Sequence, residues 1–238
     1  MNMRIEILPA LKDNFIYVLI SGSDCAVIDP GEAGPVRDFL RRENLRLTHI
    51  LCTHHHWDHV SGIPDLVNEF RPEVWCSSHD FERVPAATKA VASHETLLGQ
   101  DLRVLTVPGH TLGQIAYYIP SLEAVFPGDT LFSAGCGRLF EGTPAQMFTS
   151  MKLLRTLPAA TKIYFGHEYT LRNLEFVERY GAVPATEIAN YREICAQKIA
   201  QGRPTSPSTV DVEMRVNPFF NASSVEDFTK WRELRNTW

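Results

Sequence analysis

Thr53-His54-His55-His56-Trp57-Asp58-His59 places four imidazoles and one carboxylate within seven residues. Neither a solvated loop nor a hydrophobic core calls for that density, and imidazole with carboxylate is the donor set of first-row divalent metals. The run follows Leu47-Thr48-His49-Ile50-Leu51-Cys52, which reads as a buried strand, and precedes residues 60–70, which take helical spacing after Pro64. In extended backbone, residues i and i+2 face the same way. His54 and His56 are therefore expected to share one ion while His55 points elsewhere, and Asp58 and His59, where the chain turns into the helix, face a second. One run cannot complete two coordination spheres, because each ion takes about four to six donors.

Three further candidates each follow an apolar run and a glycine: Gly109-His110, Gly128-Asp129 and Gly166-His167. Each reads as a loop residue at a strand end, where a layered scaffold carries its chemistry and a glycine lets backbone crowd a metal. Taken singly, a Gly-His or Gly-Asp is an ordinary turn. With the first run they complete an inventory of five histidines and two aspartates. His49, His55, His79 and His94 read as ordinary histidines, Cys136 as a packing residue, and Asp29-Pro30-Gly31 as a turn, with a supporting role behind the ligands as the second reading of Asp29.

These residues carry a resemblance. Thr-His-x-His-x-Asp-His followed by Gly-His, Gly-Asp and Gly-His resembles the metallo-β-lactamase superfamily. Gly128-Asp129-Thr130-Leu131-Phe132, Gly135-Cys136-Gly137-Arg138-Leu139-Phe140-Glu141-Gly142, Gly166-His167-Glu168-Tyr169-Thr170, Pro204-Thr205-Ser206-Pro207-Ser208-Thr209 and Asn217-Pro218-Phe219 make it similar to glyoxalase II, the hydroxyacylglutathione hydrolases, across essentially the whole chain. The resemblance implies one metal on His54, His56 and His110, a second on Asp58, His59 and His167, and Asp129 bridging them. It implies two divalent ions per chain, zinc first, with iron or manganese as alternatives. Asp58 and Asp129 act in catalysis as ligands that place a bridging hydroxide. Arg138, Phe140, Tyr169, Arg232 and Arg235 fall where the family contacts glutathione. Arg138 and Arg235 stand where lysine is familiar, Phe140 where tyrosine is, and Asn221 where arginine is.

The implied reaction is hydrolysis of S-(2-hydroxyacyl)glutathione, chiefly S-D-lactoylglutathione, to D-lactate and glutathione, a step of methylglyoxal detoxification. Two divalent ions, two carboxylates and a hydroxide leave the site net positive, suited to a developing oxyanion. A thiolate leaves readily, since a thiol of this kind has a pKa near ~8.5. The alternative within the superfamily is a glutathione persulfide dioxygenase with a single iron. Lactonase, β-lactamase or nuclease activity fits less well, as does a non-catalytic binding protein.

The rest of the chain agrees. Its 238 residues, 44% hydrophobic, suffice for a full core. A net charge of −5, with no basic run, argues against nucleic acid. No apolar stretch approaches a membrane span, and the N-terminus reads as free of an export leader. Five scattered cysteines argue against a disulfide framework and for a reducing cytoplasm. The expected partner is a small glutathione thioester, with no nucleic acid, no membrane and a monomeric state. Short strand-like and helix-like segments alternate to about residue 169, which the pattern reads as mixed α/β and the resemblance as an αββα sandwich. Beyond it, residues 171–180, 185–201 and 224–235 read as helices, the last with Ser224 as N-cap. The expected domains are 1–169, catalytic, and 170–238, a smaller helical substrate-binding domain.

Overall fold

The structure, a computed structural model, describes residues 3–181 and 183–238. Met1 and Asn2, part of the N-terminal reading above, lie outside them. The chain divides into two compact units, Met1–Leu105 with Gly113–Leu122, and Thr106–Leu112 with Glu123–Trp238. This division by packing differs in kind from the division by role at residue 169.

The first unit runs β1 (Arg4–Ala10), β2 (Asn14–Ser21), β3 (Asp24–Ile28), α1 (Gly34–Glu43), β4 (Arg46–Leu51), the four-residue α2 (Trp57–Val60), α3 (Ile63–Phe70), β5 (Glu73–Cys76) and β6 (Lys89–Ala90). These six strands form one sheet in chain order, antiparallel from β1 to β3 and parallel from β3 to β6. Parallel neighbours need crossovers; α1 supplies the one from β3 to β4, α3 the one from β4 to β5, and residues 77–88 the one to β6. Alternate residues Ile16, Val18 and Ile20 of β2, Cys25 and Val27 of β3, and Val74 and Cys76 of β5 share a core with Val36, Phe39 and Leu40 of α1 and Ile63 and Leu66 of α3. Each such side chain contributes about 1.5–3 kcal/mol by leaving water. Helix α1 stops at Asn44, in the left-handed region at φ 51°, with Arg41 and Arg42 complementing its carboxyl end. A hairpin of β7 (His94–Leu97) and β8 (Gln100–Thr106) is followed by β9 (Ile115–Ile119) beside β8. The Tyr117 hydroxyl of β9 reaches the carbonyls of Cys52 and Trp75, at 3.1 and 3.3 Å.

The second unit holds β10 (Ala124–Gly128), the hairpin β11 (Leu131–Phe132) and β12 (Gly135–Cys136), α4 (Pro144–Arg155), β13 (Lys162–Phe165), α5 (Thr170–Tyr180), α6 (Ala185–Ala200), β14 (Ser208–Thr209), α7 (Val210–Val216) and α8 (Val225–Asn236). β10 and β13 are parallel neighbours, and β14 runs antiparallel on the far side of β13. Ser224 caps α8 as expected, its hydroxyl accepting from Asp227 N. Phe219 lies between Phe176 and Phe228, with ring centroids at 6.2 and 5.9 Å. Asn221 donates to the carbonyls of Glu213, Met214 and Asn217. It closes the carboxyl end of α7 through its amide, a job done without an arginine.

The strand read at 47–52 and the helices read at 171–180, 185–201 and 224–235 recur within a residue or two, and the helix expected after Pro64 is α3, preceded by the separate short helix α2. Elements β6, β7, β11, β12, β14 and α7 were not anticipated, because runs of two to seven residues carry too little periodicity. The five cysteines are free and buried. Among the described residues no helix is long and apolar enough to cross a membrane.

Candidate metal centre and cationic cavity

In each unit two adjacent parallel strands end beside expected ligands, where side chains from separate chain segments meet. In the first unit the strands are β3, which leads into Asp29, and β4, which leads into residues 53–59. Asp29 is buried and takes φ 52°. Its Oδ1 accepts from Thr53 N at 2.8 Å and its Oδ2 from the Thr53 hydroxyl at 2.6 Å. The hydroxyl proton is thereby committed, so Thr53 Oγ1 accepts from His54 Nδ1, 3.0 Å away. His59 Nδ1 donates to the same Asp29 Oδ2 at 3.0 Å. One carboxylate thus fixes two imidazoles as Nδ1–H tautomers and turns Nε2 of each into the donor, the arrangement metal-binding histidines use.

The rings of His54 and His56 are 4.7 Å apart, and those of His54 and His59 4.2 Å. Asn14 Nδ2 holds Asp58 by its carbonyl and its Oδ2, both at 3.1 Å. Gly31 is required here, because a Cβ would lie 2.0 Å from the Asp58 carbonyl oxygen. His55 is used up elsewhere: its Nδ1 faces Asp80 Oδ2 at 3.2 Å and its Nε2 faces Arg83. His49 lies edge-on to Trp75 and burial lowers its pKa, His79 sits beside Asp80, and His94 is exposed.

In the second unit Asp129 follows β10 and His167 follows β13, while His110 comes from the loop after β8. His110 Nε2 and His167 Nε2 lie 3.5 and 3.3 Å from one oxygen, Oδ2 of Asp129. His110 Nδ1 donates to the Arg138 carbonyl at 2.7 Å, again leaving Nε2 as the donor atom. Gly137 makes this possible, since a Cβ would lie 1.9 Å from the Asp129 carbonyl oxygen and 3.0 Å from His110 Nδ1. The donor types, their burial and the held Nδ1 atoms suit first-row divalent ions.

Beside this set lies a cavity of about 260 Å³, lined by residues that include Arg138, Tyr169, Arg172, Asn173, Arg232, Arg235 and Trp238. Tyr169 stacks on His167 at 4.9 Å with 5° between the planes. Phe140 is 62% exposed, its ring edge 5.3 Å from His110. Arg235 reaches Asn173 Oδ1 at 3.4 Å and overlies Trp238 at 4.8 Å. Burial, then the neighbouring Arg232 and Arg172, pull its pKa down to about 10, so it stays charged at neutral pH. Arg232 is not on a solvated helix face: it is 6% exposed, with Nη1 donating to the carbonyls of Cys136 and Gly137 at 3.0 and 3.3 Å. Burial pushes the Cys136 thiol up despite the opposing Arg232, which suits a packing residue rather than a nucleophile.

Sequence reasoning gave Asp29 too little weight and passed over Asn14, Thr53, Arg172, Asn173 and Trp238. A polar residue directly after a strand and adjacent to the ligand strand was the available signal for Asp29.

A sequence profile for the metallo-β-lactamase superfamily matches residues 11–167, and one for the hydroxyacylglutathione hydrolase C-terminus matches residues 168–238. The chain is 41% identical to the hydroxyacylglutathione hydrolase of Prochlorococcus marinus, covering 100% of this chain and 97% of that protein. It is 47% identical to one from a Synechococcus strain, over 91% and 88% of the two chains. Among solved structures it is similar to ETHE1 from Myxococcus xanthus, with TM-score 0.73 and 24% identity over 99% of this chain and 92% of that one. The BLEG-1 B3 metallo-β-lactamase gives TM-score 0.71 at 21% identity over 91% and 99%. These structural likenesses establish the fold, mixed sheets flanked by helices with a helical C-terminal part. Profiles and relatives together span the chain, which belongs to the hydroxyacylglutathione hydrolase family of the metallo-β-lactamase superfamily.

Proposed function

We propose that the protein is a metal-dependent thioester hydrolase that splits S-(2-hydroxyacyl)glutathione, chiefly S-D-lactoylglutathione, into the 2-hydroxy acid and glutathione. The observation that carries this reading is the pair of pre-oriented donor sets at parallel strand ends, one of them beside an arginine-lined cavity. In this reading His54, His56 and His110 hold one ion, Asp58, His59 and His167 a second, and Asp129 serves both. Zinc fits the donors, as do iron and manganese. When bound, divalent ions make water nucleophilic at neutral pH and polarise the thioester carbonyl.

The chain's own residues do the rest. Asp29 and Thr53 keep His54 and His59 in the donor tautomer, and the Arg138 carbonyl does the same for His110. Arg235 and the Arg138 and Arg172 guanidiniums attract the two carboxylates of the tripeptide, and Tyr169 flanks both the cavity and His167. Residues 1–169 then carry the chemistry and 170–238 most of the substrate contacts. Five free, buried cysteines support a reducing cytoplasm as the setting, and the reading needs only one copy of the chain.

The test is release of free thiol from S-D-lactoylglutathione by purified protein whose metal content is determined on the same sample. Rapid release with close to two ions per chain is expected. No release with one iron per chain, and oxygen uptake with glutathione persulfide, would replace the hydrolase by a dioxygenase.

A further inference from the structure

Residues 132–137, the hairpin of β11 and β12 and its exit, are held almost entirely by side chains from the far end of the sequence. Asn217 Nδ2 donates to the carbonyls of Phe132 and Gly135 at 3.1 and 3.0 Å. Asn173 Nδ2 donates to Ser133 O at 3.0 Å. Glu213 accepts from Ala134 N at 2.8 Å and from the Ser133 hydroxyl at 2.9 Å. Arg232 takes the carbonyls of Cys136 and Gly137. All four side chains are buried, Glu213 and Asn217 completely.

The next two links lead to the ligands. Gly137 N donates to Thr130 O at 3.3 Å, and the glycine lies against the Asp129 carbonyl. Arg138 O is the acceptor that sets the His110 tautomer. A buried carboxylate and a buried guanidinium are costly ways to fill space, and well-packed apolar side chains serve stability as well or better. What ionic and amide groups add is direction: each hydrogen bond fixes a backbone group at one orientation.

We propose that Arg232, together with Glu213 and Asn217, is a positioning residue of the metal centre, acting through residues 132–138 on His110 and Asp129 rather than chiefly by holding glutathione. This rests on the metal-binding reading above. Without the guanidinium, the Cys136 and Gly137 carbonyls lose their donor, Arg138 O shifts, and the His110 ring loses the partner that fixes it. Arg235, on the same helix and lining the same cavity, donates to none of these carbonyls and meets the network only at Asn173 Oδ1, 3.4 Å away and on the opposite side of the amide from the nitrogen that holds Ser133 O; its other contacts are Phe176 and Trp238. It is the internal control.

The experiment is zinc affinity by competition with a chromophoric chelator, alongside kcat and KM, for the wild type, Arg232→Ala, Arg232→Lys, Glu213→Gln and Arg235→Ala. Supporting groups behind ligands change metal affinity by about 10–100-fold, so Arg232→Ala should weaken one zinc site at least about tenfold and lower kcat. Arg232→Lys keeps a charged donor but on a shorter stem and without the planar guanidinium that aims Nη1, and should recover only part of both. Glu213→Gln should shift the affinity in the same direction and less. Arg235→Ala should leave zinc affinity unchanged and raise KM. In the folded metal-free wild type, the His110 Nδ1–H should give a protected imidazole proton resonance that Arg232→Ala removes. If Arg232→Ala does not fold, Arg232→Lys and Glu213→Gln decide by the same readings. Wild-type zinc affinity and kcat in the Arg232 and Glu213 variants, with only KM raised for Arg232, would overturn the proposal. A wild type that binds no zinc tightly would overturn instead the functional reading on which it rests.

Discussion

The two donor sets are built alike and supported differently. Each lies where two adjacent parallel strands end, and each holds a histidine Nδ1 on an oxygen, which leaves Nε2 as the donor atom. In the first unit the oxygens are side chains from the strand ends themselves, Asp29 and Thr53. In the second unit the oxygen is a backbone carbonyl, Arg138 O, whose loop is fixed by residues 173, 213, 217 and 232. One half is self-supporting within residues 14–59, with Asp29 30 positions from His59 and Asn14 44 from Asp58. The other depends on partners 40 to 96 positions away. A carboxylate tunes its imidazoles by charge as well as by geometry, whereas a carbonyl acts by geometry alone, which makes its neighbours matter more.

The comparison can be broken at several points, and the largest effect is expected where both kinds of support become irrelevant. Asp129→Ala removes the oxygen shared by His110 and His167; metal per chain should fall and kcat/KM should drop on the order of 10³-fold or more, because several kcal/mol of charge stabilisation goes with it. Two tightly held ions in that variant would disprove a shared carboxylate. Asp29→Ala tests the self-supporting half. It strips the acceptor from His59 and frees Thr53 from its fixed role, so zinc affinity should weaken about 10–100-fold, with Asp29→Asn milder. An affinity equal to wild type would mean that the first unit needs no such anchor, and the contrast would collapse.

Smaller effects sharpen the distinction between holding metal and holding substrate. Arg235→Ala removes a half-buried cation, so KM should rise about 10–100-fold at nearly constant kcat, the value of a charged hydrogen bond acting equally in ground and transition states. Arg172→Ala, at a more exposed cation, should raise KM by no more than about fivefold. Phe140→Tyr is expected to move KM least, within about threefold, since the exposed ring only adds a hydroxyl at a water-facing edge. A large gain there would make the phenol, and not the arginines, the main grip on the tripeptide.

Much of this was legible in the sequence, and the reason is chemical rather than statistical. Imidazoles and carboxylates concentrated at strand ends are rare enough to announce a metal centre, and the strand and helix periodicities that carry them are long. Asp29 was readable first as half of a turn, because Asp-Pro-Gly has an ordinary explanation and the reach to His59 depends on the parallel pairing of β3 with β4. Glu213 and Asn173 were silent, and Asn217 stood out only as part of a motif, because what they hold is largely the backbone of residues 132–135, which leaves no trace in residue type. Arg232 was read, like Arg235 three residues on, as a contact for glutathione. Spacing places a residue on a helix face, but what that face meets is decided by packing, which here buries Arg232 and keeps Arg235 at the cavity.

The aromatic ring at the edge of that cavity has an optical consequence. Trp238 lies with the Arg235 guanidinium 4.8 Å from its ring centre and that of Arg172 at 5.7 Å. Cations so placed perturb an indole's excited state, and an anionic guest that draws either arginine away changes the emission. The protein has four tryptophans, so a variant retaining only Trp238 would report occupancy of the cavity by its own fluorescence, without turnover and without an added dye.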